Sequence, residues 1–328
     1  MEAWLLRTWY GDTRRGLWLL PLAWLFGAVV ALRRIAFQAG LLRVHRLSRP
    51  VIVVGNITVG GTGKTPLTLW LARRLAERGL RPGIVSRGYG GREAGARLVA
   101  PDASPAEVGD EPALMAARRV ARVAVGADRP AAAALLEQDC DVILSDDGLQ
   151  HLALGRDAEI IVIDGLRGLG NGRLLPAGPL REPEGRLAHA DLLVVTGGQF
   201  AGIESCEMRV EPVALVALAG AARRPLSSLA GQRVHAVAAI GNPERFFALL
   251  RTAGLEVVGH ALPDHHALAS SDLDFGDDLP VLMTEKDAVK CRSFARAGWE
   301  YLEVEAGFAP DDVARLDALL DRALARAR

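Results

Sequence analysis

The segment from Val51 to Thr65 constrains the fold of this chain more than any other stretch. It opens with four β-branched residues in a row, ending at Val54, which is typical of a buried strand in a parallel sheet. A glycine-rich loop follows, and then three leucines at four-residue spacing, from Leu67 to Leu75, predict one face of a helix. Strand, loop and helix in this order predict a phosphate-binding cradle, because the loop N–H groups and the helix N-terminus attract anions.

The loop carries residue types that bind phosphate and metal in nucleotide-binding proteins. Lys64 is placed to reach the β- and γ-phosphates, and the Thr65 hydroxyl is placed to hold Mg²⁺. The usual spacing has a glycine where Thr58 stands, and this chain has the variant Gly-Gly-Thr-Gly-Lys-Thr instead. A linker without nucleotide is the alternative, but the lysine and the flanking elements favour a nucleoside triphosphate site. Its predicted residues are Gly60, Gly61, Thr62, Gly63, Lys64 and Thr65.

The composition speaks against one class of partner. The 39 basic and 39 acidic residues give a formal net charge of zero, so no global field favours nucleic acid, and we expect none as a partner. Lysine occurs only at positions 64, 286 and 290, so 36 of the basic residues are arginine. The three cysteines lack the spacing of metal ligands, and a reduced, cytoplasmic setting is therefore expected.

The first fifty residues differ in composition from the rest of the chain. They hold four of the six tryptophans, and no charged side chain interrupts the sixteen residues from Leu17 to Leu32. Arginines flank this stretch, with Arg14 and Arg15 before it and Arg33 and Arg34 after it. A membrane span needs about 20 apolar residues, so we favour a helix lying in the membrane interface, with tryptophans at headgroup depth. A signal peptide, a single membrane span and a buried core helix are the alternatives.

Strands and helices alternate after the loop. This βαβ rhythm predicts an α/β fold with a mostly parallel P-loop sheet, helices on both of its faces, and ligands at the carboxyl ends of its strands. The predicted strands of this part are 82–86, 121–125, 141–145, 159–163 and 191–196.

The rhythm changes towards the C-terminus. Residues 208–218 alternate in the manner of a β-linker, a second βαβ unit spans 234–261, and residues 311–328 predict an amphipathic helix. We therefore expect a membrane-associated N-terminal segment, a P-loop domain, a linker and a smaller α/β domain. Their predicted boundaries are 1–48, 49–205, 206–218 and 219–328.

Paired carboxylates follow one of the predicted strands. Asp146 and Asp147 come directly after the apolar run that ends at Ser145. In a P-loop protein this is where a carboxylate holds Mg²⁺, directly or through water. A solvated turn is the alternative, and the preceding phosphate loop favours the metal. Which of the two aspartates contacts the ion is left open.

Four other clusters are weaker signals when each is taken alone. Asp110 opens Asp-Glu-Pro, which suits the start of a helix. His265 follows Asp264 in a turn that is either a surface feature or a catalytic histidine with its orienting acid. Arg87 and Tyr89 follow a predicted strand, so both are expected to face the same crevice as the loop. The segment 174–183 is a proline- and glycine-rich loop that also suits a simple connector.

Taken together, the clusters resemble one known family. The chain is identified as a member of the tetraacyldisaccharide 4'-kinases, and the resemblance covers nearly its whole length. It implies transfer of the ATP γ-phosphate to the 4'-hydroxyl of an acylated glucosamine disaccharide 1-phosphate, at the cytoplasmic face of the bacterial inner membrane. The motifs, in order, are G-N-x-T-x-G-G-T-G-K-T, S-R-G-Y-G-G, G-D-E-P, D-D-G-x-Q-H, L-L-P-A-G-P-L-R-E-P, G-N-P-x-R-F-F, D-H-H and T-E-K-D-A-V-K.

The resemblance also implies roles for individual residues. Asp110 and His265 are expected to form the pair that accepts the hydroxyl proton, with the two halves of the molecule closing to bring them together. Lys64 and Thr65 are expected to contact phosphate and Mg²⁺, with Asp146 as one of two metal-side acids. Leu149 stands where many members have phenylalanine, a change expected to affect packing only. The residues expected to line the substrate or phosphate crevice are Arg87, Tyr89, Glu111, Arg129 and Arg181.

A nucleotide-driven switch or a metallochaperone-like ATPase or GTPase is the alternative class. Val59 stands where partitioning ATPases have lysine, and the guanine-specific N-K-x-D pattern is absent from the sequence. A monomer is the expected oligomeric state.

Overall fold

The computed structural model describes residues 2–11, 13–91, 95–200, 202–220 and 222–326. The α-helices are α1 (Glu2–Tyr10), α2 (Leu20–Gln38), α3 (Lys64–Glu77), α4 (Pro105–Val108), α5 (Asp110–Ala117), α6 (Arg129–Ala134), α7 (Pro243–Thr252), α8 (Glu285–Cys291) and α9 (Pro310–Arg326). Short 3₁₀ helices are Thr13–Leu19, Glu184–His189, Leu226–Leu229, Ser270–Leu273 and Arg292–Phe294. The strands are β1 (Val51–Gly55), β2 (Pro82–Ser86), β3 (Arg97–Val99), β4 (Arg122–Val125), β5 (Val142–Asp146), β6 (Ala158–Asp164), β7 (Leu192–Thr196), β8 (Cys206–Ala217), β9 (Arg223–Arg224), β10 (Arg233–Ala238), β11 (Glu256–Ala261), β12 (Val281–Thr284) and β13 (Trp299–Gly307).

The strands form one continuous sheet in the order β11-β10-β12-β13-β8-β7-β6-β1-β5-β2-β4-β3, with β9 added beside β8. Neighbouring strands are parallel except at β13–β8, β8–β9 and β4–β3. The predicted mostly parallel α/β fold is therefore confirmed. All five residues of β1 are buried because helices cover both faces of the sheet at its centre.

The predicted linker is a long strand that belongs to both halves of the sheet. The start of β8 pairs in parallel with β7, with Cys206 opposite Val194, while β13 runs antiparallel along its length. The sheet therefore passes from the P-loop half to the C-terminal half without interruption. The four-part division of the chain remains a prediction.

The C-terminal helix α9 returns to the P-loop half. Its apolar residues Leu316, Leu319 and Leu320 are buried in the same core cluster as Leu67 and Leu71 of α3. This amphipathic helix was predicted, and residues 327–328 of the predicted range lie outside the described residues.

The N-terminal segment packs at one end and is exposed along most of its length. The Trp9 indole N–H donates to the Pro176 carbonyl oxygen at 3.0 Å, and Ala23 packs against Ala177. Pro21 lies in the first turn of α2, where a missing N–H costs little. Within the described residues, Gly16–Gln38 is the one helical stretch that is long and apolar enough to cross a membrane, and 17% of its apolar window is buried.

Candidate active site

The phosphate loop joins β1 to α3 as the sequence predicts. Gly60 and Gly63 have φ angles of +109° and +91°, which side chains other than glycine rarely adopt. A Cβ atom on Gly63 would also lie 3.0 Å from the Thr196 hydroxyl oxygen, so a side chain has no room there. Helix α3 begins at Lys64, and half-buried Thr65 is its second residue. Because the helix follows the loop directly, its N-terminus faces the loop, where it favours an anion.

Asp146 ends β5 next to this loop and is completely buried. Its Oδ1 accepts a hydrogen bond of 2.9 Å from the Thr68 hydroxyl, whereas Oδ2 has no partner among the described residues. Burial, reinforced by the negative charge of Glu111, raises the pKa of Asp146 to about 7. A buried carboxylate oxygen without a donor is typical of a position that binds a cation.

Asp147 connects Lys64 to a loop of the P-loop half. Its carboxylate lies 3.5 Å from Lys64 Nζ and 3.3 Å from Arg181 Nη1. Burial acts to raise the pKa of Asp147, but Lys64 and Arg181 outweigh it and the pKa is lowered. Its φ of +47° is a left-handed conformation that aspartate tolerates better than most residues. Lys64, Asp147 and Arg181, three of the predicted site residues, are thus brought together.

Asp110 and His265 are in contact. His265 Nδ1 lies 3.1 Å from Asp110 Oδ2, and the Tyr89 ring packs edge-on against the imidazole at 5.3 Å between centroids. The loop that carries Tyr89 approaches the start of α5 so closely that a Cβ on Gly109 would lie 2.5 Å from the Tyr89 carbonyl oxygen. His265 has a φ of +60°, so a strained residue stands at the site.

A buried ion pair holds the two halves together beside this contact. Arg118, at the end of α5, lies 2.6 Å from Glu285 at the start of α8, and it also binds Glu303 of β13. These side chains are largely buried, which gives the pair a fixed geometry. The dyad was predicted to need closure of the two halves. In this structure the halves are already joined by α5 and α8, with the dyad formed.

Two lysines of α8 belong to the same cluster, and sequence reasoning assigned them no role. Lys290 Nζ lies 3.4 Å from Asp110 Oδ2, and Lys286 Nζ lies 3.4 Å from both His265 Nε2 and Glu111 Oε1. Burial acts to raise the pKa of Asp110, but His265 and the two lysines outweigh it and the pKa is lowered. The scarcity of lysine was the signal available, since all three lysines of the chain lie around this site.

The remaining predicted crevice residues differ in exposure. Arg87 is exposed beyond the end of β2, and Glu111 follows Asp110 on α5. Arg129 is 1% exposed, and it donates to the carbonyl oxygens of Val85 and Asp146 while its Nε and Nη2 atoms have no partner among the described residues. Burial lowers the pKa of Arg129 to about 10. Arg129 therefore lies behind the carboxyl ends of β2 and β5, and two of its nitrogens have no hydrogen-bond acceptor among the described residues.

His151 and Leu149 follow the aspartate pair. Burial, with Arg129 and Arg87 nearby, lowers the pKa of His151 to about 4, so its imidazole is neutral at physiological pH. Leu149 is fully buried against Gly55 and the apolar cluster that includes Ile57, which agrees with a packing role.

Known proteins are similar to this chain in sequence and in fold. The model of the tetraacyldisaccharide-1-P 4'-kinase family matches residues 15–325. The chain belongs to this family. It is 49% identical to the tetraacyldisaccharide 4'-kinase of Methylobacillus flagellatus and 51% identical to that of Xanthomonas euvesicatoria pv. vesicatoria, over 97% and 96% of each chain. The crystal structure of LpxK from Aquifex aeolicus in complex with ATP is similar, with a TM-score of 0.78 at 30% identity, covering 93% of this chain and 98% of that one.

Proposed function

We propose that this member of the tetraacyldisaccharide-1-P 4'-kinase family transfers the γ-phosphate of ATP to the 4'-hydroxyl of tetraacyldisaccharide 1-phosphate, in lipid A biosynthesis. One observation carries the proposal beyond family membership. A phosphate-binding loop and a carboxylate–imidazole pair meet at the same edge of one sheet, with Glu111 of α5 close enough to raise the pKa of Asp146. A nucleotide-driven switch needs a phosphate-binding loop, but it does not need a carboxylate–imidazole pair beside that loop.

The loop fits ATP and the neighbouring acids fit Mg²⁺. Asp146 presents a buried carboxylate oxygen that has no donor among the described residues, Asp147 contacts Lys64 of the loop, and Thr65 follows Lys64 at the start of α3. Within the described part of the chain no three histidine, cysteine or acidic side chains form a metal cluster. This suits Mg²⁺, which keeps water and phosphate oxygens as ligands beside one or two carboxylates. The ion, when bound, neutralises charge on the β- and γ-phosphates.

The protein side chains position the reactants and take up one proton. The 4'-hydroxyl oxygen forms a bond to the γ-phosphorus, the bond from that phosphorus to the β–γ bridging oxygen breaks, and ADP leaves with the electron pair. The hydroxyl proton passes to Asp110, which His265 orients. Such acid–base assistance is worth about 10²–10⁴-fold in rate. Lys64 stabilises the charge on the transferred group.

The crevice residues serve substrate and phosphate binding in this proposal. Tyr89 and Glu111 flank the dyad and contact the sugar, while Arg87 and Arg181 face the anionic groups. Arg129, whose Nε and Nη2 nitrogens have no partner among the described residues, acts from beneath the aspartate pair.

The N-terminal segment carries the enzyme to its lipid substrate. Each buried CH₂ of an acyl chain favours the bilayer by about 0.8 kcal/mol, so the substrate stays in the membrane and the site must reach it. Trp18, Trp24 and Leu32 are 66–71% exposed on this segment, whereas Ala23 and Trp9 attach it to the protein. We propose a monotopic or peripheral attachment at the cytoplasmic face of the bacterial inner membrane, with the enzyme acting as a monomer.

A lipid phosphorylation assay tests the proposal. The full chain is incubated with γ-labelled ATP and tetraacyldisaccharide 1-phosphate in detergent micelles, with and without Mg²⁺, and the lipid is separated by thin-layer chromatography. Label on the lipid in the presence of Mg²⁺ is the expected result. Label released as inorganic phosphate at the same rate with and without lipid would assign the chain to the switch or chaperone class instead.

A further inference from the structure

The three lysines of this chain stand out because arginine supplies the other 36 basic residues. Lys64 lies in the phosphate loop, and Lys286 and Lys290 lie one turn apart on α8, where residues at i and i+4 share a face. Both α8 lysines are largely buried, with side chains 17% and 7% exposed. Buried lysines are rare unless they are paired with acidic or polar groups. The groups that each lysine contacts therefore indicate its role.

Lys290 binds the dyad carboxylate from one side. Its Nζ lies 3.4 Å from Asp110 Oδ2, the same oxygen that His265 Nδ1 contacts at 3.1 Å. Among the described residues, no hydrogen bond reaches Asp110 Oδ1. One oxygen of the carboxylate is therefore held by a hydrogen bond from His265 and an ion pair with Lys290, and the other is left for a substrate hydroxyl.

Lys290 is itself held in place by Asp287. Its Nζ lies 3.0 Å from Asp287 Oδ1, while Asp287 Oδ2 accepts hydrogen bonds from the Ala239 N–H and the Thr284 hydroxyl. The ammonium therefore contacts Asp110 of α5 as a fixed group, because Asp287, which holds it, is itself anchored to the backbone just after β10.

Lys286 determines which imidazole nitrogen carries the proton. An ammonium has only donors, so His265 Nε2, at 3.4 Å from Lys286 Nζ, must be the acceptor of that contact. The proton of a neutral imidazole then resides on Nδ1, which donates it to Asp110 Oδ2. Glu111 and Asp264, at 3.4 and 3.8 Å, balance the charge of Lys286.

We propose that Lys286 and Lys290 are positioning residues of the reaction, which hold His265 in the Nδ1–H form and turn Asp110 Oδ1 towards the hydroxyl that attacks ATP. The proposal rests on the kinase function above. In the transfer step the hydroxyl proton moves to Asp110 Oδ1 as the new oxygen–phosphorus bond forms and ADP departs. The lysines exchange no proton and contact no reacting atom.

Steady-state kinetics of Lys290→Met test the carboxylate contact. The variant is expected to lower kcat by about 10- to 100-fold, within the range of acid–base catalysis, with the KM for ATP unchanged. The titratable groups that face Asp110 are His265, Lys290 and Lys286, and loss of the positive charge of Lys290 raises the pKa of this carboxyl. The acid limb of the kcat–pH profile should therefore move to higher pH. Arg292→Met, which removes an exposed cation just after α8, is the control with no expected change.

The kinetic outcomes separate this proposal from the kinase function. Absence of lipid phosphorylation in the parent protein would refute the function itself. An active parent with Lys290→Met at full kcat, or with lowered kcat but an unmoved acid limb, would refute the positioning role alone. Thermal unfolding of both variants shows whether the fold is kept, and Lys290→Gln replaces the methionine variant where it is not.

The imidazole contact has a readout that does not depend on activity. Nitrogen-15 chemical shifts of His265 in the full chain report which ring nitrogen carries the proton, with His265→Gln used to assign the signals. The Nδ1–H form is expected in the parent and a shift towards Nε2–H in Lys286→Met. A parent imidazole protonated on Nε2 alone would overturn the assignment.

Discussion

His265 Nδ1 and Asp110 Oδ2 lie 3.1 Å apart although 155 positions separate the two residues in the chain. The contact crosses from the C-terminal half of the sheet to the P-loop half. Asp110 lies at the start of α5 and His265 lies in the turn after β11. Close by, the ion pair between Arg118 and Glu285 joins α5 to α8. A proton acceptor for a hydroxyl group is thus assembled beside a phosphate-binding loop.

Removal of this acceptor should lower turnover without loss of nucleotide binding. Neither Asp110 nor His265 belongs to the phosphate loop, so Asp110→Asn and His265→Ala are each expected to lower kcat by about 10²–10⁴-fold and to leave the affinity for ATP nearly intact. Lipid phosphorylation and nucleotide titration measure the two quantities. Weaker ATP binding with normal kcat would reassign His265 to a nucleotide contact.

Lys64→Ala should lower kcat by at least about 10²-fold. Lys64 belongs to the loop itself, its ammonium is paired with Asp147 at 3.5 Å, and the other two lysines contact the dyad. Loss of one such stabilising group costs about 10²–10³-fold in kcat. Lys64→Arg is the matched control that keeps the charge. Turnover of Lys64→Ala within a factor of three of the parent would exclude a role in phosphate transfer.

Asp146→Asn should stabilise the protein at alkaline pH in the absence of metal. With its pKa raised to about 7, the folded protein binds a proton between about pH 4 and 7 that the unfolded chain has released. The buried carboxyl therefore costs no stability below pH 4, and its cost grows as pH rises through 7. In EDTA the variant should exceed the parent in the free energy of unfolding at pH 8 by a few kcal/mol, and the difference should shrink towards pH 5.

Denaturant unfolding at both pH values measures the effect, and Mg²⁺ supplies its control. Addition of Mg²⁺ at pH 8 should stabilise the parent and leave Asp146→Asn nearly unchanged, because only the parent has the buried anion. Equal stability of the two proteins at pH 8 in EDTA would show that Asp146 is not a buried charge.

The exposed apolar residues of α2 should anchor the chain to bilayers. Leu32→Glu places a charge on a side chain that is 66% exposed on this helix, and it should weaken co-sedimentation with anionic vesicles. Leu98→Glu, on edge strand β3, changes a leucine that is 47% exposed elsewhere and is the control with no expected effect. Equal vesicle binding by the two variants would contradict the membrane role of this segment.

Local sequence patterns predicted most elements of the P-loop half but missed three strands of the other half, namely β9, β12 and β13. Strands such as β2 and β7 are apolar runs, and their predicted ranges agree with the structure to within a residue. In β13 the buried residues include Glu300 and Glu303, whose charges are compensated by Arg224, Arg118 and Arg223, all distant in sequence. Alternation of hydrophobicity therefore gave no signal there. The adjacent strand β12 was not predicted because its 4 residues are too few to show a pattern.

The sequence predicted many of the residues of the site, but it did not predict how they contact one another. Lys64, Asp146 and Asp147 follow from the order of strand, loop and acid, which local rules describe. The roles of Lys286 and Lys290 depend on α8 meeting α5, and no local pattern reports a contact across some 175 positions.

The ion pair between Arg118 and Glu285 should prove necessary for both stability and catalysis. Arg118→Met leaves Glu285 buried without its cation, which costs about 3–5 kcal/mol when one partner of a buried pair is removed. Arg251→Met, which breaks the exposed pair with Glu244, should cost less than about 1 kcal/mol. Replacing both Arg118 and Glu285 with methionine removes the orphaned Glu285 charge and leaves Glu303 paired with Arg223, so stability should recover in part. kcat should stay low in that double variant if the pair also sets the distance between α5 and α8, because Asp110 and His265 are carried on opposite sides of this interface. Full recovery of both stability and kcat would limit the pair to charge compensation.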